Sequence, residues 1–133
     1  MGLLKLLNSI SLFLNSKSNK NQMNWNKLNV AEQLEEIKKE SKERPVMIFK
    51  HSTTCPISTT SLSRMERNWK DDDSKNIKAY YIDILGNRGL SAEIANTFGV
   101  VHQSPQILVI RDGKSVYDES HFGISFNDLV ESV

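Results

Sequence analysis

The sequence predicts an α/β domain with a mixed sheet of four to five strands flanked by helices on both faces. Three observations lead there. Short apolar runs at 46–49, 79–85 and 106–110 alternate with stretches of helical periodicity, the pattern of strands joined by helical crossovers. The intervening apolar residues recur at three- and four-residue spacing, one face of a helix. The last two strand-like runs, QILVI and SVYDES, are separated by RDGK, and Asp-Gly between such runs signals a tight hairpin.

Each element has its own warrant. Trp25–Leu28 can form a short first strand. Asn29 and Glu32 have the spacing of a capping box, and Val30, Leu34 and Ile37 then mark one helical face that fades near Ser41. Val46–Phe49, behind Pro45, reads as a buried strand. A second helix runs from Pro56 to Trp69 with Leu62, Met65 and Trp69 inward, and DDDSKN breaks it. AYYIDIL is a strand of aromatic and β-branched residues. Leu90, Ile94 and Phe98 define a third helix closed by Gly99. After the hairpin, Ser125 with Asp128 caps a last helix that carries Phe126, Leu129, Val130 and Val133 inward. The first strands, which alternate with helices, are expected to run parallel, and the final pair antiparallel.

The chain divides into an extension, 1–22, and a globular part, 23–133. Leu3, Leu7, Ile10 and Leu14 lie on one helical stripe, so the extension can form an amphipathic helix followed by the polar linker KSNKNQ. It is too short to span a bilayer and contains Lys5. A docked or frayed terminus is favoured over membrane contact. Met23 stands just before the globular pattern and could be the start of translation.

Among 133 residues the two charge signs nearly cancel, at a formal +1, which gives no reason to expect a nucleic-acid partner. A single cysteine excludes an internal disulfide and a zinc site built from cysteine pairs. His51, His102 and His121 show no ligand spacing, so no metal is expected. A chain without an internal disulfide suits a reducing compartment, most simply the cytoplasm.

That cysteine carries the chemistry. In HSTTCPISTTS, Pro56 suits the first helical position because its missing N–H would be unsatisfied there. Cys55 is then the N-cap, facing the backbone N–H groups of Ile57 and Ser58. These donors and the positive helix end favour an anion at the sulfur. Small hydroxylic residues surround it, and no carboxylate lies within five residues. A cysteine in a polar loop, off any apolar stripe, reads as a nucleophile rather than as a small core residue.

Strand, TTCPIS, then helix resembles the active-site turn of thioredoxin-like proteins. FGVVHQSPQILVIRDGK is similar to their second signature, a glycine-ended helix, a loop ending in a cis proline, a strand and a hairpin. Within that superfamily, KHSTTCPIS with HQSPQ most resembles the monothiol bacilliredoxins, the YtxJ-like proteins, over roughly residues 24–133. The resemblance implies a thioredoxin-like fold. It also implies a thiol-disulfide oxidoreductase that removes bacillithiol from S-bacillithiolated proteins through a mixed disulfide at Cys55. Bacillithiol would be a co-substrate, with no bound cofactor, and the protein a monomer. Thr54, Pro56, Ile57 and Ser58 would shape the active-site turn, with Ser58 where dithiol relatives carry their second cysteine. Pro105 would be the cis proline, and Ser104 would offer backbone hydrogen bonds to the substrate chain. The buried acid of dithiol thioredoxins falls at Phe49, so it is missing here. With no resolving cysteine, an external small thiol must complete the reaction. Two alternatives stay open: an iron–sulfur cluster carrier or sensor using Cys55 and a small thiol, and a glutathione-dependent monothiol protein.

Other candidates are weaker. His51 could steady the thiolate or pair with a substrate carboxylate, or be simply a polar residue at a strand end. His102 could approach the sulfur. His121 serves a turn. Lys50, Arg88 and Lys114 could bind carboxylates of a small thiol, but each reads better as solvated surface.

Overall fold

The computed structural model describes residues 23–133. The expected helix and linker within 1–22 lie outside the described residues. Five strands form one mixed sheet: β1 (Trp25–Lys27), β2 (Val46–His51), β3 (Lys78–Asp83), β4 (Gln106–Arg111) and β5 (Lys114–Ser120). Their spatial order is β1-β3-β2-β4-β5. β1 and β2 both run parallel to β3, while β4 is antiparallel to β2 and to β5. Four α-helices cover the sheet: α1 (Gln33–Glu40), α2 (Pro56–Asn68), α3 (Arg88–Phe98) and α4 (Phe126–Glu131).

β2 lies in the middle of the sheet and is buried along its whole length, as a strand covered on both faces must be. Its alternate residues feed two cores. Met47 and Phe49 pack with Ile107, Val109, the α2 residue Met65, Trp69 just after it, and the α4 residues Phe126 and Leu129. Val46 and Ile48 pack on the other face with Leu108, Ile110, the α1 residues Leu34 and Ile37, and the α3 residues Leu90, Ile94 and Phe98. Each helix buries the stripe that its apolar spacing marks. The expected fold class is therefore the observed one, with β1 as the fifth strand.

Local signals hold with one correction. Gly99 ends α3 at φ 68°, and Asp112 and Gly113 turn the hairpin at φ 51° and 76°, left-handed values that favour Asp, Asn and Gly. Ser125 Oγ accepts from the Asp128 N–H. The capping box at Asn29 does not form. The chain makes a turn through Ala31 and Glu32, and α1 starts at Gln33. The Gln33 side chain, rather than Asn29, holds the turn: its Oε1 accepts from the N–H groups of Asn29 and Val30 at 2.8 and 3.0 Å. Val30 consequently lies outside the inner stripe, 48% exposed. Among the described residues, no helix is long and apolar enough to cross a membrane.

Candidate active site

β2 ends at His51, and the chain turns through Ser52–Cys55 into α2. Pro56 occupies the first turn and Cys55 is the N-cap, with extended dihedrals of φ −100° and ψ 117°. The Cys55 carbonyl accepts the first helical hydrogen bond from Thr59 N–H at 3.0 Å, and the Thr59 hydroxyl adds a second at 3.2 Å. The Cys55 N–H donates back to the Ser52 carbonyl at 3.1 Å. These bonds fix the backbone on both sides of the sulfur. Cys55 is half-buried, and its neighbours Thr54, Pro56 and Ile57 are exposed.

The sequence expectation needs correcting at the sulfur itself, which makes no capping hydrogen bond with Ile57 or Ser58 N–H. A thiol is a poor acceptor, and the extended Cys55 backbone seats the group at the helix entrance without closing it onto those donors.

Ser58 is fully buried. Its Oγ accepts from the Ser52 N–H at 3.0 Å and lies 2.6 Å from His51 Nδ1. One hydroxyl thus ties the end of β2 to the first turn of α2, closing the loop that presents Cys55. His51 Nδ1 is correspondingly engaged by Ser58, and its ring lies 5.6 Å from that of Tyr81. Burial pushes its pKa below the usual histidine value, partly opposed by the charges of Asp83 and Glu66, so the imidazole is neutral at pH 7.

β4 is antiparallel to β2, and Gln106 pairs with Lys50. That register brings the Ser104–Pro105 peptide, which is cis, to the sheet edge from which Cys55 departs. Pro105 is buried and Ser104 half-buried, its hydroxyl oxygen buried with no partner among the described residues. The Pro105 carbonyl accepts from His121 N–H at 3.0 Å, and the His121 carbonyl accepts from the Ser61 hydroxyl at 3.2 Å. His121, in a turn at φ 57°, so links the cis proline to α2 through its backbone. The Gln106 amide donates to the Val101 carbonyl at 3.0 Å and holds the preceding loop.

His102 has partners of its own. Its Nδ1 lies 3.3 Å from Lys50 Nζ and 3.1 Å from Ser91 Oγ. Burial first, then the Lys50 charge, lowers its pKa; an ammonium has only donors, so in the Lys50 contact Nδ1 is the acceptor.

Lys50 is the residue that sequence reasoning misplaces. It is not solvated surface but fully buried, and burial lowers its pKa to about 8. The overlooked signal is parity: Lys50 shares the inward alternation of Val46 and Ile48 on a strand covered on both faces. Arg88 and Lys114 are exposed, as expected. Among the described residues, no three His, Cys, Asp or Glu side chains assemble into a metal site.

Comparisons with known proteins agree with this geometry. The family model described as monothiol bacilliredoxin BrxC matches residues 26–129. A solved structure described as a candidate oxidoreductase with a thioredoxin fold is 30% identical, with a TM-score of 0.70, covering 81% of this chain and 92% of its own. Thioredoxin from Fasciola hepatica is 21% identical, TM-score 0.60, covering 80% and 93%. Malassezia sympodialis thioredoxin is 12% identical, TM-score 0.64, covering 80% and 90%. The latter two share the fold alone.

Proposed function

The chain belongs to the monothiol bacilliredoxin family, and from that premise we propose that it removes bacillithiol from S-bacillithiolated proteins. The observation that carries this reading is the contrast between Cys55 and Ser58. The one thiol belongs to a half-buried residue at the mouth of α2. The position where a resolving cysteine would stand is a fully buried serine bound to His51 and Ser52.

The reaction takes two exchanges. The Cys55 thiolate attacks the bacillithiol sulfur of the mixed disulfide, the S–S bond breaks, and the client cysteine leaves as its thiolate. Cys55 now carries bacillithiol. A second bacillithiol thiolate attacks that bacillithiol sulfur, releasing Cys55 and forming bacillithiol disulfide. Each step transfers one electron pair to the departing sulfur. Thr54, Pro56, Ile57 and Ser58 hold the turn. Ser104, before the cis proline, offers its backbone to the extended client segment. The reaction needs no bound cofactor and suits a monomer in the cytoplasm.

The test is turnover. Wild-type protein with free bacillithiol should convert excess bacillithiolated client to its reduced form, and Cys55→Ser should not. No turnover in wild type, or a brown dimer on anaerobic purification, would contradict the reading; the latter would indicate a bridged iron–sulfur cluster.

A further inference from the structure

Lys50 raises a question that the thiol chemistry leaves open. A fully buried ammonium ordinarily has a carboxylate partner. Among the described residues, the ion pairs are Lys38–Glu35 and Lys78–Glu40, and neither includes Lys50. Its Nζ meets a neutral acceptor instead, His102 Nδ1, which also lies near the Ser91 hydroxyl. The cation is therefore held in place with its charge uncompensated.

Beside it opens a cavity of about 370 Å³ lined by Ile84, Leu85, Arg88, Ser91, Ala92 and His102. Two of these are His102, which meets Lys50, and Ser91, which meets His102. Arg88 brings a second cation at the start of α3, whose N-cap, Asn87, makes no side-chain cap. Apolar walls with a few convergent polar groups are the ordinary form of a small-molecule site. Arg88 brings positive charge to the lining, and a His102 ring whose Nδ1 accepts keeps its Nε2–H as a donor.

The cavity also has the right place. Ile84 and Leu85 directly follow β3, and Asp83 pairs with His51 at the end of β2. His102 lies in the loop that enters β4 through the cis Ser104–Pro105 peptide. Cys55 and the cavity thus lie toward the same end of the central strands.

We infer that this cavity receives a carboxylate group of the small-molecule thiol, held by Arg88 and the Nε2–H of His102 beside the buried Lys50 ammonium, with Ser91 orienting the His102 ring. The inference rests on the proposed use of an external thiol and identifies what recognises it. Lys50 acts through His102 and is a positioning residue. Arg88 supplies the direct charged hydrogen bonds.

The experiment has two arms, both on the full chain. In the first, Cys55→Ser protein is titrated with succinate, and with neutral succinamide as control, while Ser91 and His102 are followed by NMR. Succinate should give saturable shifts at both residues and raise the His102 titration midpoint, since an anion stabilises imidazolium. Succinamide should do neither. Arg88→Gln should abolish the response. Lys50→Met should weaken it and by itself raise the His102 midpoint, which a merely structural substitution would not do.

In the second arm, the Cys55–bacillithiol mixed disulfide is reduced by bacillithiol or by neutral 2-mercaptoethanol. The ratio of the two rates should fall about tenfold in Arg88→Gln, the loss of one charged hydrogen bond. No succinate response together with an unchanged rate ratio would overturn the inference and leave the bacillithiol reaction standing. Succinate binding with equal rates for the two thiols in wild type would support the anion site and contradict the bacillithiol reading.

Discussion

His51 Nδ1 lies 2.6 Å from Ser58 Oγ, and this contact joins the last residue of β2 to the first turn of α2 directly behind the only thiol. It explains how a serine at this position is structural. The hydroxyl also accepts from Ser52 N–H, so its removal leaves a buried donor and a buried ring nitrogen short of a partner.

Ser58→Ala should therefore lower stability by about 1–3 kcal/mol, read from the urea midpoint at unchanged slope. A midpoint within error of wild type would mean that water replaces the hydroxyl without cost.

Ser58→Cys tests the same position chemically. Free-thiol titration after mild oxidation should show an internal disulfide between Cys55 and the introduced thiol, and the bacillithiol adduct on Cys55 should accumulate less than in wild type. Two free thiols and full adduct would show that the buried side chain cannot reach the sulfur.

The pH dependence of stability carries the sign of His51. Its folded pKa is lowered, chiefly by burial, from an unfolded value of about 6.5. Below that value the unfolded state binds the proton first, so stability should fall as pH drops below about 6.5 and stay level above it, as far as this group is concerned. Denaturant unfolding across the range from neutral to mildly acidic pH, compared between wild type and His51→Gln, isolates the contribution. Parallel curves would contradict it.

Lys50 gives a second window with the same sign. Its folded pKa is about 8 against about 10.4 unfolded. Between these values the unfolded state holds more protons, so stability should rise with pH, by up to about 3 kcal/mol. Lys50→Met, a shape-conserving replacement of a buried unpaired charge, should flatten that rise and be more stable than wild type at neutral pH. A destabilised Lys50→Met would show that the ammonium has a compensating partner.

Most of the fold is legible in the sequence because its signals are local. Gly99, Asp112-Gly113 and Ser125 act within a few residues, and helical stripes such as Leu90, Ile94 and Phe98 announce their buried face. The reversal of β4 against β2 has no local signal, since it depends on which way the chain leaves α3. Gln33 displaces the capping box because its longer amide reaches the N–H groups of both Asn29 and Val30. In the site, Cys55 and Pro56 can be placed from one dipeptide. The partners of His51 and His102 cannot, because Ser58, Lys50 and Ser91 meet them through the strand and helix packing. At Lys50 residue type misleads, and parity on a doubly covered strand is the better guide.

The central claim is that a single thiol takes bacillithiol onto itself and waits for a second molecule. Reduced protein mixed with a bacillithiolated client, without free bacillithiol, and followed by intact mass decides it. The expected result is one bacillithiol on Cys55 beside fully reduced client, with free Cys55 and bacillithiol disulfide formed on adding bacillithiol. A stable protein–protein disulfide, or no transfer, would contradict the claim.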